Sequence, residues 1–279
     1  MKIAVLIKQV PASNDVAIDP VTHCLIRENT EMAVNPSDLH ALTAAIELSR
    51  QCGGTVSVFS MGPQEAGKAL HTALAMGADE AYLVSGRCFG GGDTLGTAKV
   101  LVAALNHTGK YDLVMAGDLS SDGATGQVGH MAAELLGIPC AADSRRIEMD
   151  GNTLTVVRPW KNQKVRVRIG LPCMVTVGLG SNQVILPTIR SQMKANRREI
   201  PVLTNAELRL NPEEIGKRGA KSLVTDTYAR ECSQHHAKML TGSAAEIAAQ
   251  IKTIEKKEVY EQCKLSYTIP ESIHTYTPD

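Results

Sequence analysis

The sequence predicts an α/β protein built on an open parallel sheet with helices on both faces. Apolar or β-branched runs alternate with stretches of helical periodicity through the first half of the chain. The predicted strands are 2–9, 55–60, 80–84 and 111–117, and the predicted helices are 37–51, 64–76, 94–106 and 124–136. Strands that alternate with helices of this length are typical of parallel sheets covered on both faces.

The loops that follow these strands are the expected ligand site. Open parallel sheets bind ligands in the crevice beyond the carboxyl ends of their strands. We therefore expect five loops to meet at one crevice: 8–20, 34–38, 60–63, 85–94 and 117–126.

The second half of the chain has a different pattern. Alternation over 145–150, 153–159 and 164–170, with a tight turn at 150–152, predicts an antiparallel hairpin, and 173–180 predicts a buried strand. Residues 205–235 have little periodicity and are expected to lie as an extended arm on a partner or on this chain's own core. A capping box from Ser243 to Glu246 predicts a final helix. We expect a nucleotide-binding α/β domain over 1–204, which includes the hairpin and a recognition loop. Over 205–279 we expect a C-terminal arm and helix that pack on a partner subunit.

Composition excludes several classes of protein. The 279 residues carry a formal net charge of zero, which gives no tendency toward nucleic acid or anionic membranes. The apolar N-terminal run is too short for a signal peptide and reads as a first strand. The seven cysteines form no CxxC pair, which argues against a zinc site, an iron–sulfur cluster or a disulfide framework. We expect a soluble protein of the reducing cytoplasm.

A glycine-rich turn between a strand and a helix is the most informative segment. In the run DLVMAGDLSSDGATGQVGHMAAELLGIP, Gly123, Gly126 and Gly129 recur every third residue. Backbone N–H groups at a helix start bind anions such as phosphate, and glycine permits close approach. An ordinary strand-to-helix turn is the alternative. Neither GxGxxG nor the P-loop motif GxxxxGK[ST] is present here.

A second glycine-rich helix start lies at 90–97. Thr94 and Thr97 are three residues apart, so one helical face presents both hydroxyls to a pyrophosphate together with first-turn N–H groups. A flexible loop capped by Asp93 is the alternative.

The segment Asn35-Pro36-Ser37-Asp38 precedes another helix. Asn35 or Ser37 could cap it, with proline in the first turn. The functional alternative is that the Asn35 amide and the Asp38 carboxylate hydrogen-bond adenine or ribose at the crevice.

The side chains suggest no catalytic or metal centre of their own. There is no GxSxG elbow, the histidines are dispersed apart from His235 and His236, and no carboxylates form a recognisable acid–base couple. If the protein takes part in redox chemistry, a bound cofactor must therefore carry it.

Four ordered motifs resemble the β (small) subunit of electron-transfer flavoproteins. They are KIAVLIKQVPAS, VNPSDLHALTAAIEL, MGPQEAGKALHTALAMGADEAYLV and VILPTIRSQMKANRREI. Together they span most of the chain. The resemblance implies a Rossmann-like domain of the adenine-nucleotide-binding type, with a hairpin and an extended C-terminal arm.

The resemblance also implies a partner α subunit and a bound adenine nucleotide. Simple members hold AMP, which is structural, whereas electron-bifurcating members hold FAD, which takes a hydride from NADH. The bifurcating, FixA-like type is similar to this chain at Gly92-Asp93-Thr94-x-x-Thr97 and in a longer arm near 216–222. We therefore expect FAD, with AMP at the same site as the alternative. Partners would be acyl-CoA dehydrogenases or related flavoproteins.

The chain departs from the family pattern in one loop. Where the family has Gly-Arg/Lys-Gln, this chain has Gly117-Asp118-Leu119, so an anion replaces a cation near the expected nucleotide. Close charges interact strongly at low dielectric, so a changed flavin potential, or even a changed nucleotide, is expected.

These patterns and the resemblance give one set of expected cofactor-binding residues and one expected docking residue. The cofactor-binding set is Leu6, Lys8, Asn35, Pro36, Ser37, Asp38, Met61, Asp93, Thr94, Thr97, Asp118, Leu119, Ser120, Ser121, Asp122, Gly123, Ala124, Thr125, Gly126, Gln127, Val128 and Gly129. Leu186 corresponds to the family's exposed leucine that anchors a dehydrogenase, and packing into its own domain is the alternative for it.

Two rival functions remain open. The first is a non-redox subunit in which AMP supports the fold and the chain serves for docking. The second is an ATP-binding module of the stress-protein kind, which would form a homodimer without an α partner.

Overall fold

The computed structural model describes residues 1–12, 31–222 and 239–253. The chain divides into two units, Met1–Thr227 and Tyr228–Asp279. In the second unit the described part contains a helix over 244–253. The carboxylate of Glu246 accepts the N–H of Ser243 at 2.7 Å, and the hydroxyl of Ser243 accepts the N–H of Glu246 at 3.4 Å, so the predicted capping box is confirmed.

Twelve strands and eight helices lie in the described residues. The strands are β1 (Lys2–Ile7), β2 (Gln9–Pro11), β3 (Met32–Val34), β4 (Thr55–Met61), β5 (Glu80–Val84), β6 (Leu113–Gly117), β7 (Cys140–Ser144), β8 (Arg146–Asp150), β9 (Thr153–Trp160), β10 (Gln163–Gly170), β11 (Cys173–Val177) and β12 (Val202–Leu203). The helices are α1 (Pro36–Cys52), α2 (Gly67–Met76), α3 (Thr94–Thr108), α4 (Val128–Leu136), α5 (Ile189–Ala195), α6 (Asn205–Leu208), α7 (Gly216–Gly219) and α8 (244–253). None of these helices is long and apolar enough to cross a membrane.

Seven strands form one parallel sheet in the order β12-β5-β4-β1-β6-β11-β7. Strand β1 pairs with β4 on one side and with β6 on the other. The chain leaves β1 toward β4 and later returns to the opposite side at β6. The carboxyl ends of β1 and β6 therefore flank the point at which the strand order reverses, where such sheets bind ligands.

Both faces of the sheet are buried. Along β1, Ile3 and Val5 lie in one apolar cluster, and Ala4 and Leu6 lie in the other. Helices α1 and α2 contribute to the first cluster, and α3 and α4 contribute to the second. Burial on both faces explains the continuous apolar runs in the sequence, and the predicted α/β class is confirmed.

The predicted hairpin is part of a three-stranded antiparallel sheet in the order β10-β9-β8. Asp150 pairs with Thr153 across the predicted turn, and Gly151 adopts a φ of 57° there. Leu154, Val156 and Ile169 point into the first apolar cluster. The alternation in the sequence therefore reflects one buried and one exposed face of this sheet.

Three features differ from the sequence-based expectation. Helix α4 begins at Val128 instead of 124, because Ala124 and Gly126 have φ values of 48° and 61°, which are incompatible with a helix. The edge strand β7 was not predicted, since its small, half-buried residues lack a clear period. Three short helices, α5 to α7, lie where the sequence showed no regular alternation.

Part of the predicted arm packs on this chain's own domain. Ile215 is 1% exposed and lies in the second apolar cluster. Glu214 forms an ion pair with Lys99 of α3 at 2.9 Å. The expected position of residues 205–235 is on a partner or on the chain's own core. Residues 205–222 lie on the chain's own core, and residues 223–235 lie outside the described residues.

Candidate functional site

A buried carboxylate joins the ends of β1 and β6 at the reversal point. Asp38 lies in the first turn of α1 and is 5% exposed. Its Oδ2 accepts the N–H of Lys8 at 2.7 Å, and its Oδ1 accepts the N–H of Gly117 at 3.0 Å. A side chain at 117 would overlap the carboxylate of Asp38 and the backbone N of Asp38, so only glycine fits there.

The protonation of Asp38 is set by two opposing effects. Burial raises its pKa from 3.8 to about 7, although hydrogen bonds from Asn35, Lys8 and Gly117 and the charge of Lys8 lower it. Burial disfavours the ionised form, whereas N–H donors favour it. Protonation converts one carboxylate oxygen into a hydroxyl, which is a weaker acceptor, so it should weaken one of the two bonds to the strand ends.

The side chain of Asn35 holds the loop after β6. Its Nδ2 donates to the carbonyl of Leu119 at 2.9 Å, and its Oδ1 accepts the N–H of Ser121 at 3.0 Å. The side chain does not cap α1, where Pro36 occupies the first turn. Asn35 therefore acts on loop geometry, and the contact of Asn35 with a nucleotide remains a prediction.

An ion pair holds the same loop to β1. Lys8 Nζ lies 2.6 Å from Asp122 Oδ1, with the two side chains 43% and 7% exposed. Burial opposes the ionisation of Asp122, but the hydrogen bond and the charge of Lys8 outweigh it, so the pKa of Asp122 is lowered. Asp122 Oδ1 also accepts the N–H of Gly123 at 2.8 Å. Parts of three of the five predicted loops therefore meet, through Lys8, residues 35–38 and residues 117–123.

The three evenly spaced glycines have three different local environments. A Cβ at Gly123 would meet only the hydroxyl of Ser120, at an ordinary 3.5 Å. Gly126 adopts a positive φ of 61°, a conformation that favours glycine. A Cβ at Gly129 would lie 2.8 Å from Thr176 Cγ2, so this glycine permits α4 to pack closely on β11.

The two glycine-rich helix starts lie side by side. The hydroxyl of Thr94, at the start of α3, donates to Gln127 Oε1, just before α4, at 2.9 Å. Asp93 caps α3 by accepting the N–H of Gly96 at 2.9 Å, so the cap expected in the alternative interpretation of this loop is present. Gln127 gives α4 no side-chain cap. First-turn N–H groups of α4 therefore lack a side-chain acceptor, which leaves them available to an anion.

The three glycines at 90–92 accommodate the chain's own C-terminal segment. A Cβ at Gly92 would lie 3.2 Å from Gly216 Cα, and the carbonyl of Gly90 accepts the N–H of Lys217 at 3.0 Å. Asp93 Oδ2 accepts the N–H of Lys221 at 2.7 Å. Lys217 and Lys221 thus come close to the start of α3. No sequence signal predicted this contact, because more than a hundred residues separate the partners.

The remaining predicted cofactor residues differ in how far their side chains are exposed. The side chain of Leu6 is buried in the second apolar cluster, and Met61 packs against that cluster. Asp118 Oδ1 accepts the N–H of Leu119, whose side chain is 40% exposed. Ser37 is buried, and Ser120 and Thr97 are half-buried. Pro36, Ala124 and Thr125 are exposed. Val128 is the first residue of α4. Contact of these residues with a ligand remains a prediction.

An exposed apolar patch lies after β11. Leu186 is 80% exposed, so its side chain is not packed into the described part of its domain. Ile189 and Met193, four residues apart on α5, are 84% and 57% exposed. We call Leu186, Ile189 and Met193 the docking patch. Sequence reasoning found only Leu186, although the spacing of the other two indicates a shared helical face.

Comparison with known proteins identifies related chains. A family model described as "Electron transfer flavoprotein domain" matches residues 22–208. The electron transfer flavoprotein subunit beta of Thermoanaerobacterium thermosaccharolyticum is 42% identical over 228 residues, which cover 81% of this chain and 87% of the relative. The caffeyl-CoA reductase-Etf complex subunit CarD of Acetobacterium woodii is 35% identical, with 90% and 96% covered. Protein FixA of Azorhizobium caulinodans is 32% identical, with 92% and 95% covered.

Substituting Gly129 tests the helix–strand contact. Gly129→Ala should lower the free energy of unfolding by about 1–3 kcal/mol, because the added methyl overlaps Thr176 and Met174. Gly123→Ala is the matched control and should change it by less than about 0.5 kcal/mol. Chemical denaturation at fixed protein concentration measures both. Equal effects of the two substitutions would contradict the different environments of these glycines.

Asp38→Asn should change how stability depends on pH. The folded pKa is raised from 3.8 to about 7, so the folded chain binds more protons than the unfolded chain between these values. This group therefore contributes stability at low pH that is lost as the pH rises toward 7. The asparagine of the variant does not ionise, so the variant lacks this loss. As the pH rises across that interval, its free energy of unfolding should therefore fall less, or rise more, than that of wild type.

A series of denaturation curves between about pH 4 and pH 7 measures the Asp38 effect. Asp112→Asn is the matched control, since Asp112 Oδ2 accepts the N–H of Lys2 at 2.7 Å at the opposite end of β1. The control keeps Asp38 and should therefore retain the contribution of Asp38 to the slope. A slope for Asp38→Asn that equals the wild-type slope would refute the assignment.

Proposed function

The chain belongs to the electron transfer flavoprotein family, and from that premise we propose that it is a β subunit that binds FAD above β1 and β6. The observation that carries this proposal is the pairing of two helix starts, joined by the bond from Thr94 to Gln127, beside the strand-reversal point. A dinucleotide needs such an extended anion site, because its pyrophosphate carries two phosphates.

The proposal assigns two regions of the crevice to the two parts of an adenine dinucleotide. In the proposed arrangement the pyrophosphate binds at Thr94 and Thr97 and at the turn 122–129, and the adenosine lies near Leu6, Lys8 and 35–38. FAD, when bound, supplies the electron-transfer chemistry. The protein binds and orients it, and the nearby charges set its potential.

The charges of the crevice bear on that potential. Asp93, Asp118 and Asp122 lie around the loop, whereas Lys8 is already paired with Asp122. The backbone N–H groups of Gly96 and Lys221 donate to Asp93 and help to lower the pKa of that carboxyl, so part of this negative charge is already stabilised within the chain. The reversed sign at 118, compared with the family pattern, would make reduction of a nearby flavin harder.

AMP at the same site is the second candidate. The carboxylate of Asp93 lies at the start of α3, where the second phosphate of a dinucleotide would bind. Like charges repel, so this acid favours a nucleotide with a single phosphate. The chain would then serve for support and docking.

We further propose a heterodimer with an α subunit that exchanges electrons with an acyl-CoA dehydrogenase or a related flavoprotein, with NADH as electron donor in a bifurcating reaction. The relative CarD is a subunit of a caffeyl-CoA reductase-Etf complex, which supports a CoA-linked flavoprotein as partner. The docking patch provides apolar anchors, and the exposed Arg190, Lys194 and Arg197 would steer an acidic surface. Within the arm 205–279, we expect the part beyond 222 to lie on the α subunit.

Counting released nucleotides tests the cofactor. The chain would be co-expressed with its α subunit, and the purified complex denatured. We expect two FAD per heterodimer, because this chain and the α subunit each hold one. One FAD with one AMP would support the alternative instead, and a complex with no nucleotide at the β site would contradict both.

Removing the hydroxyls of α3 tests the pyrophosphate site. The double substitution Thr94→Val and Thr97→Val should lower the FAD content of the β site, because it removes both hydroxyls and the bond from Thr94 to Gln127 that joins the two helix starts. Thr108→Val, at the other end of α3, is the matched control, since the Thr108 hydroxyl bonds only within that end and to Tyr111. Unchanged flavin stoichiometry in the double variant would exclude the proposed role.

A further inference from the structure

Helix α1 makes polar contacts with two separate loops. Its first turn holds the loop after β6 through Asn35 and Asp38. Its second and third turns hold residues 179–185, which we call the stem because they lead from β11 to the docking patch. His40 and Thr43 make these contacts.

The hydrogen bonds of His40 define the state of its ring. Nε2 accepts the backbone N–H of Gly180 at 3.1 Å, and Nδ1 lies 2.8 Å from Asn182 Oδ1. A backbone N–H is always a donor, so Nε2 must carry no proton. Asn182 Nδ2 donates to the His40 carbonyl at 2.9 Å, which leaves Asn182 Oδ1 as the acceptor for Nδ1–H. The geometry therefore requires the neutral Nδ1–H tautomer.

The rest of the stem depends on neighbouring contacts. The N–H of Ile185 donates to Thr43 Oγ1 at 3.1 Å, and the side chains of Val184 and Ile185 pack on the first apolar cluster. Leu186, the next residue, is 80% exposed. The stem thus determines where the docking patch begins.

We propose that His40 is a positioning residue for the docking patch, holding the stem on α1 in its neutral form and releasing Gly180 when Nε2 is protonated. A protonated Nε2 would place one donor against another, so the bond to Gly180 would be lost. The consequence for docking rests on the proposed function, whereas the contact itself does not.

Charged groups line the groove beside the stem. Glu47 of α1 lines it together with Asn182, and Arg145 and Arg146 line it from the hairpin side. Asp143 pairs with Arg145 at 2.8 Å. Arg145 also donates to the carbonyl of Leu179. Loss of the Gly180 bond should therefore loosen the stem without detaching it.

Hydrogen exchange in the purified heterodimer tests the contact. Asparagine can replace the Nδ1–H donor of histidine, but its shorter side chain has no acceptor at the position of Nε2, where Gly180 donates. In His40→Asn, peptides that span 178–182 should exchange about two- to tenfold faster than in wild type, as expected for the loss of one hydrogen bond. His107→Gln, an exposed histidine on α3, is the matched control and should exchange like wild type.

The pH dependence separates a switch from a simple structural contact. After correction for intrinsic exchange rates, protection of 178–182 in wild type should fall on acidification, because a protonated Nε2 no longer accepts the N–H of Gly180. His40→Asn should show no such fall. Equal exchange of wild type and His40→Asn near neutral pH, or a pH-dependent fall retained in the variant, would overturn the proposal.

The ring itself gives a second measurement if His40→Asn does not fold. Nitrogen NMR of ¹⁵N-histidine-labelled wild type should find a protonated Nδ1 and a bare Nε2 for His40 near neutral pH. The opposite tautomer would overturn the proposal. Neither measurement needs a bound nucleotide, so a β site without FAD would refute the proposed function and leave the His40 contact standing.

Discussion

The carboxylate of Asp38 joins the two strand ends between which the sheet reverses its order. Parallel strands diverge at this point, and their terminal N–H groups would otherwise lack a partner inside the fold. A buried carboxylate with two acceptor oxygens satisfies both at once, and the loop after β6 then takes its position from Asn35 and Lys8. The cost of burying a charge is the reason that its protonation is poised near neutrality.

Contacts between residues far apart in the sequence are the part of the structure that could not be predicted from the sequence. Strands and helices of the first half followed from periodicity, since burial on both sheet faces leaves a strong local signal. The loops around Lys8, Asn35 and Asp122 followed from the topology of parallel sheets. The partners of Gly90 and Asp93 did not, because Lys217 and Lys221 reach them through long-range packing that leaves no local pattern.

The glycines illustrate the same limit within one motif. Even spacing at 123, 126 and 129 suggested a single role in phosphate binding. In the structure the spacing reflects an open turn position, a left-handed residue and a close helix–strand contact. A pattern of residue types thus predicted one role for the three glycines, whereas only the neighbours of each Cα, such as Thr176 beside Gly129, show the physical reason at each position.

The contact between 214–221 and α3 has a consequence for the evolution of this chain. Ile215 fills a place in the second apolar cluster, and the glycines of 90–92 leave room for Gly216. A chain shortened before 215 would expose apolar surface and leave a gap beside α3. Deletions should therefore be tolerated less readily within this segment than at exposed positions outside it.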